Sequence, residues 1–169
     1  DNHSHNLVIA TYLEPEHVAR IRAVDPRLNV VYAPELIPQP RYPADHVGAP
    51  LVRTPDEEAR WQALLEQAEI LFDFHHTHRE DLPDLAPNVR WLQASSAGIG
   101  QFVKRMGYDE RMPATIFTTA SGVHARPLAE FCMMAILMHY KRLLHILAEQ
   151  QAHHWERYAA TDLDGRTLA

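Results

Sequence analysis

Three clusters in this chain have residue types and spacings suited to chemistry. His75 and His76 stand directly after the apolar run 68–74, where an imidazole can donate a hydrogen bond to a substrate or move a proton. Asp73 beside them can orient a ring or point across the sheet. Ser95-Ser96-Ala97-Gly98-Ile99-Gly100 joins two hydroxyls to small residues and backbone N–H groups at a helix start. That segment reads either as a cradle for a carboxylate or phosphate or as a tight strand-to-helix turn. Gly122-Val123-His124 leads into the longest apolar stretch and suits a hinge as well as it suits a helix cap. A metal site at His75, His76 and His78 lacks a third ligand at a defined spacing, so no metal is expected. Cys132, between Phe131 and Met133, reads as a buried thiol with nothing to activate it.

The elements that must carry these residues follow from hydrophobic period and from turn chemistry. Compact apolar runs at 7–11, 29–33, 68–74, 89–92 and 114–118 predict five strands. Helical patterns lie between them: 15–24, a helix opened by Thr54-Pro55-Asp56-Glu57 with the residue order of a capping box, a turn at 80–85, and a short helix from 99 or 100 to 105. Trp61, Leu64 and Leu65 supply the buried stripe of the capped helix. The prolines at 34, 38, 40 and 43 exclude regular helix from that stretch. Strands alternating with helices predict βα units around a parallel sheet, whose strand ends share one edge where ligand loops gather. After Pro127, suited to a first helical turn, apolar residues to Leu147 predict one long helix covered on several sides, with Glu130 near its positive end. His139, Lys141 and Arg142 interrupt it, which argues against a membrane span.

Composition bounds the partners. The chain has 169 residues, a formal charge of -6, 46% hydrophobic residues, 12 prolines against 6 glycines, and one cysteine. That length suits one complete domain with a helical extension. An acidic balance without a basic stripe argues against nucleic acid, and a single cysteine excludes an internal disulfide framework and fits a reducing compartment. With no charged leader and apolar core at the start, a cytoplasmic location is expected.

The segments PNVRWLQASSAGIGQF, ATIFTTASGVHARPLAEFCMMAILMHYKR and DLDGRTLA resemble the D-isomer-specific 2-hydroxyacid dehydrogenases, the family that includes glyoxylate and hydroxypyruvate reductases. The resemblance spans nearly the whole chain, most closely from Val89 onward. It implies an α/β fold in which a flavodoxin-like, five-stranded parallel sheet domain over 1–120 is followed by a hinge and crossover helix over 121–160. Residues 161–169 would begin a Rossmann domain for NAD or NADP that the sequence does not contain. It further implies hydride transfer between NAD(P)H and a small 2-keto or D-2-hydroxy acid by the full-length protein, which would be a homodimer. The cofactor would be absent from the fragment, and the fragment alone would be inactive. By resemblance the substrate-binding residues are His75, His76, Ser96, Ala97, Gly98, Ile99, Gly100 and Thr119, with Thr119 where many members carry Asn. Gly122, Val123 and His124 would form the hinge. The catalytic Arg, acidic residue and His of the family fall beyond Ala169, so none is assigned. A non-enzymatic module binding a small anion, or assembling through the Met-rich helix, is the competing reading.

Overall fold

Alternation in the first strand sets the architecture. The computed structural model describes residues 4–74 and 77–167. In β1 (His5–Ile9), Leu7 and Ile9 face one side of the sheet, while Val8 and the following Ala10 face the other. The strand pairs on one side with β2 (Leu28–Val31) and on the other with β3 (Ile70–Phe72). Next come β4 (Trp91–Gln93) and β5 (Ile116–Thr118), giving an all-parallel sheet in the order β2-β1-β3-β4-β5. This is the flavodoxin-like order, with its switch point between β1 and β3.

Helices cover both faces unequally. On one face, α1 (Pro15–Arg22) packs Val18 against Leu7 and Ile9. The opposite face carries α2 (Pro55–Glu66), α3 (Leu82–Leu85), α4 (Gly100–Arg105) and α5 (Tyr108–Arg111). Their side chains Trp61, Leu65, Leu82, Val103 and Tyr108 join Val8, Leu71 and Leu92 in the larger core cluster. Each fully buried Leu there contributes about 1.5–3 kcal/mol of transfer free energy. Trp91 and Ile116, neighbours in register, remain exposed on the α1 face.

Local signals hold where chemistry is local. The Thr54 side chain accepts from the Glu57 N–H at 3.3 Å, and Glu57 Oε2 accepts from the Thr54 N–H at 2.8 Å, completing the capping box. Leu64 is only partly buried beside Trp61 and Leu65. Strand bounds differ from the sequence reading by at most two residues, and the end of β5 coincides with it. The proline-rich stretch holds one 3-10 turn, Pro34–Leu36, before its irregular course.

The chain divides into one unit ending at Ser121 and another beginning at Gly122. The second unit corrects the expectation of one long helix. It contains α6 (Ala125–Tyr140) and α7 (Leu143–Gln151), bent by 60° across Lys141 and Arg142. Arg142 adopts left-handed backbone at φ 55, its guanidinium lies 4.8 Å from the centre of the Tyr158 ring, and Tyr158 donates a hydrogen bond to the Lys141 carbonyl. Contacts from the following segment thus stabilise a break that helical periodicity does not register. No single described helix is long and apolar enough to cross a membrane.

Within this chain the helices of the second unit are uncovered. No residue of α6 or α7 is buried, Leu128 is 61% and Phe131 62% exposed, and Cys132 is exposed. The apolar flanks of Cys132 are themselves uncovered, so they do not enclose it. Glu130 lies past the first turn and pairs instead with Arg126 at 3.0 Å.

Candidate functional site

The carboxyl ends of the parallel strands meet at one edge of the sheet, and a cleft of about 270 Å³ opens there. Its walls come from three loops. The one after β3 supplies Asp73, Phe74 and Arg79; the one after β4 supplies Ser95, Ser96, Gly98 and Ile99; and the proline-rich loop supplies His46 and Val47. Phe102 of α4 closes the apolar side, with its ring centre 4.8 Å from that of Phe74.

Asp73 anchors the floor. Its N–H donates to the Gln93 carbonyl at 2.7 Å, continuing the ladder, and its backbone then turns at φ 69, a region that Asp tolerates better than most residues. The side chain is 4% exposed and accepts from the Phe74 N–H at 2.9 Å and from the Ser95 hydroxyl. A buried carboxyl without these partners would be strongly unfavourable, so this pair ties the β3 and β4 loops together.

The proline-rich loop is organised around a second buried acid. Asp45, 2% exposed, accepts from the N–H groups of Arg41, Val47 and Gly48, each at 3.1 Å, and from Arg41 Nε at 2.7 Å. The Arg41 guanidinium first, and these backbone donors with it, hold the carboxyl well below the usual carboxylate range against the opposing effect of burial. Gly48 has φ 77, and a Cβ there would fall 2.6 Å from Pro38 Cβ, so glycine is required. His46, inside this turn, is held twice. Its carbonyl accepts from Thr11 Oγ1 at 2.6 Å, and its Nδ1 lies 2.9 Å from the Tyr12 carbonyl.

Among the described residues, Arg79 is the one guanidinium lining the cleft. Its side chain lies over the Phe102 ring at 5.9 Å and makes no ion pair among the described residues. Neighbouring contacts fix its stretch of backbone: Tyr108 donates to the Arg79 carbonyl, His78 Nε2 meets Glu58 at 3.1 Å, and Arg53 donates to Thr77 Oγ1 at 2.9 Å.

Of the residues singled out from the sequence, Ser96, Gly98 and Ile99 line the cleft. Ala97 lies in the same loop, and Gly100 is the first residue of α4. Neither Gly98 nor Gly100 has positive φ, and a Cβ on either would meet nothing within 4 Å. Their smallness therefore leaves open space and does not serve a strained turn. Thr119 is exposed just after β5, and the N–H of its neighbour Ala120 donates to the Ser96 carbonyl at 3.1 Å. His75 and His76 lie outside the described residues. Gly122, at φ 91, belongs to the second unit with Val123 and His124, and its carbonyl accepts from the Ala125 N–H at 3.1 Å. His46, Val47 and Arg79 escaped the sequence reading because none carries a motif, and Phe102 is expected there only as an inward-facing residue of the short helix. Asp73 was noticed only for its adjacency to the histidines.

The loop after β4 does not complete a dinucleotide-binding fingerprint. The G-x-G of Gly98 and Gly100 does follow a strand and open a helix, but the fingerprint's third glycine position is Val103, buried in the core.

No family model and no curated protein matches the chain. Solved structures do. A D-isomer specific 2-hydroxyacid dehydrogenase family protein from Aeromonas salmonicida subsp. salmonicida matches at TM-score 0.61 and 18% identity, over 96% of this chain and 44% of that one. A D-isomer specific 2-hydroxyacid dehydrogenase from Xanthobacter autotrophicus, solved with NADPH and MES, matches at TM-score 0.57 and 17% identity, over 94% and 42%. A probable 2-hydroxyacid dehydrogenase from Rhizobium etli, solved with NADP, HEPES and L(+)-tartaric acid, matches at 0.53 and 17%, over 94% and 42%. The chain thus spans less than half the length of these proteins. At such identities the likeness establishes the fold: a flavodoxin-like, five-stranded parallel α/β sheet followed by a C-terminal helix pair.

Proposed function

We propose that this chain forms the substrate-binding wall of an NAD(P)-dependent oxidoreductase that interconverts a small 2-keto acid, such as glyoxylate or hydroxypyruvate, with its D-2-hydroxy acid. The observation that carries this reading is the strand-end cleft, where Arg79, without an ion pair among the described residues, lines the same space as the Ser95–Gly100 loop. A guanidinium matches a carboxylate in charge and geometry, and the aromatic side of the cleft lowers the surrounding dielectric, which strengthens that attraction. The fold shared with named 2-hydroxyacid dehydrogenases supports the same assignment.

In this reading Arg79 holds the substrate carboxylate, while the backbone N–H groups around Ile99 and Gly100 and the residues Ser96, Ala97 and Gly98 shape its seat. Thr119, His75 and His76 are the further substrate contacts that the family resemblance implies. The hydride would come from a cofactor held by residues outside this chain, and Gly122, Val123 and His124 would form the hinge toward them. The catalytic effect of positioning needs both walls, so the chain alone is expected to be inactive. The uncovered apolar side chains of α6 and α7 support a second copy as the partner at that surface.

The test is the initial rate of NADH and NADPH oxidation by the full-length protein with glyoxylate, hydroxypyruvate and pyruvate. Keto-acid-dependent oxidation is expected with at least one of them. No turnover of any with either cofactor would overturn the assignment.

A further inference from the structure

The polar groups of the cleft are unequally divided between donors and acceptors. Nδ1 of His46 meets a carbonyl oxygen, which only accepts, so this nitrogen carries the proton. In the neutral ring Nε2 is then an acceptor, and it makes no hydrogen bond among the described residues. The Ser95 hydroxyl directs its proton to Asp73, which leaves oxygen lone pairs on both residues at the floor. Arg79 is the strong donor on the opposite account, and Phe74 and Phe102 give the space an apolar side.

A ligand complementary to this arrangement presents an acceptor to Arg79 and a hydroxyl proton to the acceptor side. We propose that His46 is a specificity-determining substrate contact, whose Nε2 accepts a hydrogen bond from a hydroxyl on the carbon next to the keto group and so selects 3-hydroxylated 2-keto acids. This rests on the 2-keto-acid assignment above and adds to it the substrate class and the residue that reads it. The loop is built for such a role. Asp45 gathers three backbone donors around the turn, Gly48 admits close contact with Pro38, and Thr11 fixes the His46 carbonyl, so the imidazole is held before a ligand arrives. A site that expects a hydroxyl disfavours the analogue lacking it, because its own polar group is left unpaired.

The test compares hydroxypyruvate with pyruvate, which differ by that hydroxyl, using the full-length protein and one cofactor. Wild-type kcat/KM is expected to favour hydroxypyruvate by about tenfold or more, the effect of one hydrogen bond. In His46→Leu the preference should fall close to unity through loss on hydroxypyruvate alone, and His46→Gln, which retains an acceptor, should recover part of it. A wild type that reduces pyruvate or glyoxylate without preferring hydroxypyruvate overturns this inference and leaves the broader assignment standing. So does an equal loss on both substrates in His46→Leu. No turnover of any keto acid overturns the broader assignment, and this inference with it. Nitrogen-15 NMR of the wild-type imidazole provides a measurement independent of folding in the variants: hydroxypyruvate should shift His46 Nε2 and pyruvate should not, and equal shifts contradict the proposal.

Discussion

At the scale of single residues, the cleft depends on pairs that are distant in sequence. Asp73 and Ser95 are 22 positions apart, and Tyr12 and His46 are 34 apart. Neither partner announces the other, so among the described lining of the cleft it is the contiguous Ser95–Gly100 segment that the sequence makes legible. The segment reads either as an anion cradle or as a tight turn, and the ordinary φ values of its glycines, with open space where a Cβ would stand, argue against the strained turn. The Asp73–Ser95 contact yields a direct expectation. Ser95→Ala removes a donor from a buried carboxyl and should destabilise the protein by about 1–3 kcal/mol, read as a lower urea midpoint. An unchanged midpoint would mean that Asp73 finds another partner at no cost.

At the scale of elements, the strands were legible because each is an apolar run bounded by turn residues, and α2 because its cap is complete within four positions. The break between α6 and α7 was not legible, because Tyr158 and Asp162 act on Lys141 and Arg142 from 16 to 21 residues downstream. Between these cases stands α5, whose Tyr108 is fully buried, stacks near Phe74 and Phe117, and donates to the Arg79 carbonyl. Burial first of all pushes its phenol up to about 12, against the opposing pull of the Arg79 and Arg111 charges. The folded state therefore keeps the proton longer than the unfolded state. This contribution to stability is fully present below the ordinary value of 10.0 and is lost as pH rises through about 12. Tyr108→Phe should cost about 1 kcal/mol at neutral pH and flatten the fall in stability across that window, measured by urea unfolding at several pH values. An unaltered alkaline profile would contradict the assignment to Tyr108.

At the scale of the whole molecule, the parallel β2-β1-β3-β4-β5 sheet brings the loops that line the cleft to one edge, and that edge was legible from strand–helix alternation. The course of the 34–50 loop was not, since prolines say where helix is excluded and not which residue the loop delivers. That loop brings His46 to the cleft, and the turn after β3 brings Arg79, so two loops far apart in sequence set the chemistry of one space.

The most direct test of that chemistry is Arg79→Leu in the full-length protein, with initial rates measured against both keto acid and reduced nicotinamide. A residue that binds the substrate carboxylate should, when removed, raise the keto-acid KM by roughly ten- to a hundredfold, the equivalent of a charged hydrogen bond, and leave the cofactor KM unchanged. A keto-acid KM equal to that of the wild type would contradict the assignment of this cleft as the substrate site.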